Sequence, residues 1–172
     1  NCIEASERRL KVLRDVQAGA LPGKSLVVYE PALGLVCAVF PCEDGHAQER
    51  SLLGPVLETV QAGDLWIQDR NFCTCAFLHG LYIRGAGFIT RQHGGLPFTV
   101  VTSWRAMGRI ETGQVAEQRV EVRDAQGRPQ LFRRIQVKLD QATRDGDRAL
   151  SLLTNLPLYK ASATRVARLY RK

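Results

Sequence analysis

The feature that most restricts the fold is a change in residue periodicity near position 97. From Pro97 to Leu139, valine, threonine, isoleucine and arginine alternate, and turns are indicated at Gly113 and Gly127. Alternation with a period of two is typical of β-strands that are buried on one face. We therefore predict a mostly β segment over residues 99–148, containing exposed hairpin arms.

The segments on either side of this β segment have a different pattern. Short apolar runs alternate there with stretches of helical spacing, which is the order of a mixed α/β core. We predict core parts over residues 1–98 and 149–172, with the β segment as an insertion. The expected helices are Glu4–Gln17, Ala47–Gln61, Thr74–Arg84 and Ala161–Lys172, and the expected core strands are Ser25–Tyr29, Leu35–Phe40, Asp64–Asp69, Phe88–Arg91 and Ala149–Asn155.

Composition limits the class of protein. Of the 172 residues, 45% are hydrophobic and 24% charged, which is ordinary globular usage. No apolar run approaches the roughly 18 residues that a membrane span needs, and the opening residues do not form a secretory leader. The five cysteines lack a zinc-type spacing and are expected to be reduced, which favours the cytoplasm. Because the chain lacks an initial Met and ends on Tyr170-Arg171-Lys172, we expect it to be part of a longer polypeptide.

The positive charge lies in the second half of the chain. Residues 97–172 carry 15 Lys+Arg against 7 Asp+Glu, whereas residues 1–96 carry 9 against 10. A one-sided basic surface is typical of proteins that bind nucleic acid, because Lys and Arg displace the counterions of the phosphates. An ordinary solvated face is the alternative. Within the last helix, one face is basic and carries Arg165, Arg168, and Arg171 with Lys172. The other face carries Val166, Leu169 and Tyr170.

Asp69 is the clearest candidate for chemistry. It ends a short apolar strand, and carboxylates in this position face the crevice where open α/β sheets bind ligands. Such an oxygen ligand suits Mg²⁺. A helix N-cap or a salt bridge with Arg70 is the alternative. Arg91 and His93 follow the next strand, where Arg91 could contact a phosphate or pair with Asp69, and His93 is more typical of a polar loop.

Four blocks of the sequence together resemble a known family. They are Gly63-Asp64-Leu65-Trp66-Ile67-Gln68-Asp69-Arg70-Asn71-Phe72, Phe88-Ile89-Thr90-Arg91-Gln92-His93, Ser151-Leu152-Leu153-Thr154-Asn155-Leu156-Pro157 and Leu169-Tyr170-Arg171-Lys172. They resemble the DDE transposases of bacterial insertion sequences, in the branch with a β insertion domain and a Tyr-Arg-Glu-Lys signature. The resemblance implies a ribonuclease H-like mixed sheet with flanking helices, in which the Ser25 strand lies beside the strand ending at Asp69.

The resemblance also implies the chemistry. Such enzymes cleave DNA strands as endonucleases and transfer them, using two Mg²⁺ or Mn²⁺ ions held by two Asp and one Glu. Asp69 matches the second Asp and Tyr170 matches the signature Tyr. The first Asp is then expected upstream of Asn1 and the Glu beyond Lys172, so we expect the 172-residue chain to be inactive in cleavage. Tyr170 is expected on the helix face that approaches Asp69.

The implied partner is double-stranded DNA, both transposon ends and target, bound by a homodimer in a synaptic complex within the bacterial cytoplasm and nucleoid. A non-catalytic DNA-binding module derived from a transposase is the alternative function, and a small α/β hydrolase or scaffold is a third. Arg109, Arg133 and Arg134 are further candidates in the β insertion. The predicted DNA-binding residues are Arg70, Asn71, Arg91, His93, Trp104, Arg105, Arg165, Arg168, Tyr170, Arg171 and Lys172.

Overall fold

The computed structural model describes residues 24–42 and 49–171. These form two units, one ending at Thr59 and the other beginning at Val60. The helix expected over Glu4–Gln17 lies outside the described residues, as does Lys172.

The first unit contains a β-hairpin. Strands β1 (Lys24–Glu30) and β2 (Leu35–Cys42) pair antiparallel. The turn between them ends on Gly34, whose φ of 66° is a conformation that glycine adopts without strain. The two strands predicted here are confirmed.

A shorter helix than expected follows the hairpin. A 3-10 turn, Glu49–Leu52, leads into α1 (Leu53–Thr59). Pro55 explains the late start, because a proline ring clashes with the carbonyl four residues earlier in a regular helix. In the first turn of α1, by contrast, Pro55 removes no bond, since backbone N–H groups there have no partner within the helix.

The second unit is built on a mixed sheet of seven strands. In the order β3-β4-β9-β8-β7-β5, neighbours are hydrogen-bonded, and β6 also pairs with β7. Only β3 and β4 run parallel; the other pairs are antiparallel. The strands are β3 (Leu65–Gln68), β4 (Gly87–Arg91), β5 (Thr99–Val100), β6 (Arg105–Ile110), β7 (Gly113–Arg123), β8 (Pro129–Leu139) and β9 (Ala149–Thr154).

Two helices cover opposite faces of this sheet. Helix α3 (Ala163–Arg171) packs Ala163, Val166 and Ala167 on a buried cluster that includes Ile89 of β4. The neighbouring Phe88 points the other way, because side chains alternate along a strand. Its ring meets Phe132 at 5.1 Å, edge to face, and Phe132 in turn contacts the rings of His79 and Tyr82 on helix α2 (Cys75–Ile83). The second unit therefore has three layers, helix on sheet on helix.

The mostly β character predicted for residues 99–148 is confirmed, since these residues contain β5 to β8 and no helix. Strand β8 pairs with β7 along its whole length and with β9 from Arg133 to Lys138. The β segment thus continues the sheet of the core. The domain boundaries at 98/99 and 148/149 stay a prediction.

The mixed α/β class is confirmed, but one predicted strand pairing is not. We expected the Ser25 strand beside the strand that ends at Asp69. Among the described residues, β1 pairs only with β2 in a separate two-stranded sheet, and β3 pairs only with β4. The hydrophobic alternation of β1 and β2 predicts that they are strands, but it carries no information about which further strand they join.

Candidate functional site

Asp69 lies directly after β3, and its carboxylate is available for chemistry. It precedes a 3-10 turn, Arg70–Phe72, but makes no side-chain capping bond to it. Its backbone carbonyl, not its carboxylate, accepts the N–H of Phe72 at 3.1 Å. Neither alternative reading of this residue, a helix cap or a salt bridge with Arg70, is found among the described contacts.

Tyr170 donates its phenolic O–H to Asp69 Oδ1 at 3.4 Å. The apolar side of α3 fixes this approach, because Val166 and Ala167 are completely buried against the sheet while Leu169 and Tyr170 are partly buried. The prediction that Tyr170 faces Asp69 is therefore confirmed. Burial, and then the negative charge of Asp69, raise the pKa of Tyr170 to about 12. The phenol consequently stays protonated, and able to donate, throughout the neutral range.

The pKa of Tyr170 provides a test of this contact. In the variant Asp69→Asn we expect the pKa to fall below the value of about 12, yet to stay above the ordinary value of 10, because burial is the larger cause and remains. Titration of phenolate absorbance, with Tyr170→Phe subtracting the other tyrosines, measures it. Because the pKa of Tyr170 is higher in the folded than in the unfolded protein, the contribution of this residue to folding stability is fully present below about pH 10. This contribution is lost as the pH rises through about 12. An unchanged pKa in Asp69→Asn would contradict the contact.

Arg91 is brought to the same edge of the sheet. Because β3 and β4 run parallel, with Gln68 opposite Thr90, the next residues of the two chain segments, Asp69 after β3 and Arg91 at the end of β4, lie side by side. Arg91 and Arg70 both act on the pKa of Tyr170, lowering it through their positive charge. The Arg91 guanidinium donates to Asp147 Oδ2 at 2.6 Å. The prediction that Arg91 reaches this crevice is confirmed, although its ion-pair partner among the described residues is Asp147 and not Asp69.

A cavity of about 480 Å³ opens beside these residues. Its lining carries three arginines and one carboxylate. Four of the lining residues, Arg70, Asn71, Arg91 and His93, are among the predicted DNA-binding residues. Its lining includes Arg70, Asn71, Arg91, Gln92, His93, Arg134 and Asp147. The excess of guanidinium groups suits an anion.

Arg134 is held in place by two aromatic rings. Its guanidinium carbon lies 5.0 Å from the ring centre of Phe98 and 5.1 Å from that of Trp104, both within cation–π range. Its Nε donates to Gln92 Oε1 at 2.6 Å. Burial lowers the pKa of Arg134 from its ordinary value, which is far above neutrality, so the charge persists. Trp104 remains 39% exposed, so part of its surface is open to a ligand.

Other predicted DNA-binding residues lie outside this cavity. Arg105 lines a separate groove of about 590 Å³, and Arg165 is exposed on α3. Arg168 and Arg171 both approach Glu111, at 3.0 and 3.6 Å. The pKa of Glu111 is held below its ordinary value, first by a hydrogen bond from its own backbone N–H and then by a hydrogen bond from Arg168 and the positive charges of Arg168 and Arg171. Lys172 is outside the described residues.

Two residues have different surroundings from those expected. Arg133 is buried, not facing a ligand: it donates to both carboxylate oxygens of Glu117, at 3.0 and 2.6 Å, and to the carbonyls of Leu156 and Ala161. The sequence predicts a surface position for His79 on the helix expected over Thr74–Arg84, but this side chain is only 6% exposed, and its Nε2 lies 3.1 Å from the Val122 carbonyl oxygen. Both side chains therefore hold elements of the sheet together.

Sequence reasoning missed two contributors to the cavity region, Phe98 and Asp147. Phe98 follows a proline in a loop, and no periodic signal indicates that it stacks on an arginine. Asp147 is preceded by Gly146, whose φ of 86° marks a turn, so a signal for the turn existed but none for the direction of the carboxylate.

The described residues supply one carboxylate suited to a divalent ion at this edge, Asp69. The described residues contain no group of three or more His, Cys, Asp or Glu that could hold a metal. Arg70 and Arg91, whose charges reach Tyr170, are cations, and positive charge at this edge opposes a metal ion. The described residues alone therefore do not fit a site for two ions.

Comparisons with known proteins leave the family open: no protein-family model matches the chain, and no curated protein matches its sequence. In the part of the chain that the structure describes, none of the helices is both long enough and apolar enough to cross a membrane.

Proposed function

We propose that the chain is part of the catalytic core of a DNA transposase with a ribonuclease H-like fold, and that the complete enzyme cleaves and transfers DNA strands. The observation that supports this most is the contact between Tyr170 and Asp69 at the carboxyl end of β3, beside an arginine-rich cavity. The residues that resemble transposase motifs are distant in sequence, and the fold brings two of them within 3.4 Å.

In this proposal Asp69 is one ligand of a Mg²⁺ or Mn²⁺ site. Divalent ions, when bound in pairs, stabilise the attacking and leaving oxygens of an in-line displacement at phosphorus. The remaining carboxylates would have to come from outside the described residues. The chain's own contribution is then positional: Tyr170 orients the Asp69 carboxylate by donating a hydrogen bond, and the backbone of β3 fixes its place.

The arginines of the cavity are proposed to bind the DNA backbone. Guanidinium groups bind phosphate through paired N–H donors, and Arg91 and Arg134 present such groups to one cavity. The exposed part of Trp104 offers a surface on which a base can stack. A second copy of the chain in a synaptic complex is part of the same proposal.

DNA binding should depend steeply on salt. If the three arginines of the cavity contact phosphates, raising the salt from about 50 to about 200 mM should weaken binding roughly fortyfold, through counterion release. Arg91→Gln should reduce the slope of log affinity against log salt by about one. Arg123→Gln is the matched control, since Arg123 is exposed near the far end of β7 and pairs with Glu121. Fluorescence anisotropy with labelled duplexes measures all three proteins, and affinity independent of salt would refute the DNA partner.

The second candidate function, a non-catalytic DNA-binding module derived from a transposase, is favoured because the described residues contain no group of three or more His, Cys, Asp or Glu that could hold a metal. The two functions are separated by incubating the full-length gene product with supercoiled DNA and Mg²⁺ or Mn²⁺. Metal-dependent nicking supports the transposase core. DNA binding without nicking supports the binding module, and failure to bind DNA leaves the hydrolase or scaffold.

A further inference from the structure

Asp147 occupies the position that a phosphate would take on Arg91. Its carboxylate oxygen lies 2.6 Å from an Arg91 guanidinium nitrogen, a distance typical of a strong charge-assisted bond. Asp147 also lines the 480 Å³ cavity that contains Arg70 and Arg134. One carboxylate therefore faces a cavity whose other charged groups are mainly cations.

A closed turn presents this carboxylate. In the connection between β8 and β9, the Asp147 N–H donates to Thr143 Oγ1 at 3.0 Å, and the Thr143 N–H donates to the Asp147 carbonyl at 2.9 Å. Gly146, with a φ of 86°, permits the chain to turn there. Asp147 is thus directed at Arg91 by local backbone structure, and the pairing does not depend on a loose chain end.

The Arg91–Asp147 pair is nevertheless weak enough to exchange. The two side chains are 25% and 42% exposed, so water screens the attraction, and pairs of this kind contribute little net stability. A phosphate on Arg91 would place a second negative charge against Asp147. Because like charges repel, a phosphate and the Asp147 carboxylate compete for this guanidinium.

We propose that Asp147 is an internal competitor for the phosphate site on Arg91, and that the turn from Thr143 to Asp147 must release Arg91 before a DNA phosphate can bind there. This inference rests on the proposed DNA-binding function of the same cavity. In the absence of DNA, Asp147 neutralises the charge of Arg91. An anion that binds weakly therefore does not displace Asp147 from this guanidinium.

The test compares two variants that remove the same charge two residues apart. Asp147→Asn should bind duplex DNA roughly threefold to tenfold more tightly than the unaltered chain, since the competing charge is gone. Asp145→Asn is the matched control, because Asp145 is exposed on the same turn and carries the same charge. It should tighten binding much less. Equal effects of both variants would overturn the competitor, as would weaker binding by Asp147→Asn, which would mean that Asp147 positions Arg91 for DNA.

A double-mutant cycle makes the test specific. In an Arg91→Gln background, Asp147→Asn should lose its advantage over Asp145→Asn, because the contested guanidinium is absent. A retained advantage would contradict the proposal.

A second probe separates this inference from the proposed function. Inorganic phosphate is titrated against the chain while the Nε–H NMR signal of Arg91 is followed. Asp147→Asn should shift that signal at a roughly threefold lower phosphate concentration than the unaltered chain. If DNA fails to bind but this difference appears, the DNA-binding proposal is wrong and the competitor stands. If DNA binds and both probes show no difference between Asp147→Asn and Asp145→Asn, only the competitor is wrong.

Discussion

Replacing Asp69 with asparagine should reduce metal-dependent DNA cleavage by the full-length gene product about a thousandfold. Asparagine keeps the size of the side chain and an oxygen that can accept from Tyr170, but removes the negative charge that a divalent ion needs. Metal-ion stabilisation of a phosphoryl transition state is worth several kcal/mol, and about 4 kcal/mol corresponds to a thousandfold in rate. The rate of nicking of supercoiled DNA measures the loss.

Asp64→Asn is the matched control for this variant, because Asp64 stands just before β3 and Asp69 just after it. The Asp64 carboxylate accepts the N–H of Gln61 at 2.9 Å and lies 3.4 Å from the indole nitrogen of Trp66, contacts that an amide oxygen can replace. Cleavage by Asp64→Asn should stay near the unaltered rate, and DNA affinity should be similar in all three proteins. Undiminished cleavage by Asp69→Asn would show that Asp69 is not a metal ligand.

Replacing Arg133 with methionine should lower the free energy of unfolding by about 3–5 kcal/mol. Arg133 makes two bonds to Glu117 and two to backbone carbonyls, and the side chains of Arg133 and Glu117 are 10% and 16% exposed. Methionine leaves the Glu117 charge and both carbonyls without these partners in a poorly solvated place. Chemical denaturation followed by circular dichroism measures the difference.

Two further proteins make the Arg133 experiment specific. Arg105→Met removes an exposed arginine from the groove of about 590 Å³ that Arg133 also lines. It should change the free energy of unfolding by less than about 0.5 kcal/mol. The double variant Arg133→Met/Glu117→Leu should recover part of the loss, because no charge is then stranded. Equal stabilities of Arg133→Met and Arg105→Met would mean that the buried ion pair contributes nothing.

The elements around Asp69 are the part of the site that the sequence predicts best. Strand β3 is a short apolar run bounded by Gly63 and Asp69, and α3 has an apolar side at helical spacing. A residue on that side, Tyr170, therefore had a predictable direction. Local periodicity is sufficient here because each side chain's orientation follows from its own element.

The neighbouring arginines of β8 show where sequence reasoning stops. Arg133 and Arg134 are adjacent residues of the same type. Strand alternation places Arg133 with Ile135 and Val137 on the face covered by α3. Arg134 takes the other face, beside Trp104. Which face is covered at this point of the strand depends on the pairing with β9 and on the path of α3, and neither is encoded locally. The burial of His79 against Val122 depends in the same way on a strand 43 residues away.

The continuous pairing of β8 has a mechanical consequence. Because β8 is hydrogen-bonded to β7 along its whole length and to β9 from Arg133 to Lys138, the hairpin of β7 and β8 and the Asp69 edge belong to one continuous hydrogen-bonded sheet. Bending this hairpin away from the core would break the backbone hydrogen bonds between β8 and β9. The hairpin is therefore expected to move together with the core sheet. A displacement of its tip is therefore passed through backbone hydrogen bonds to β9, and from β9 to β4 and β3, the two strands at the Asp69 edge.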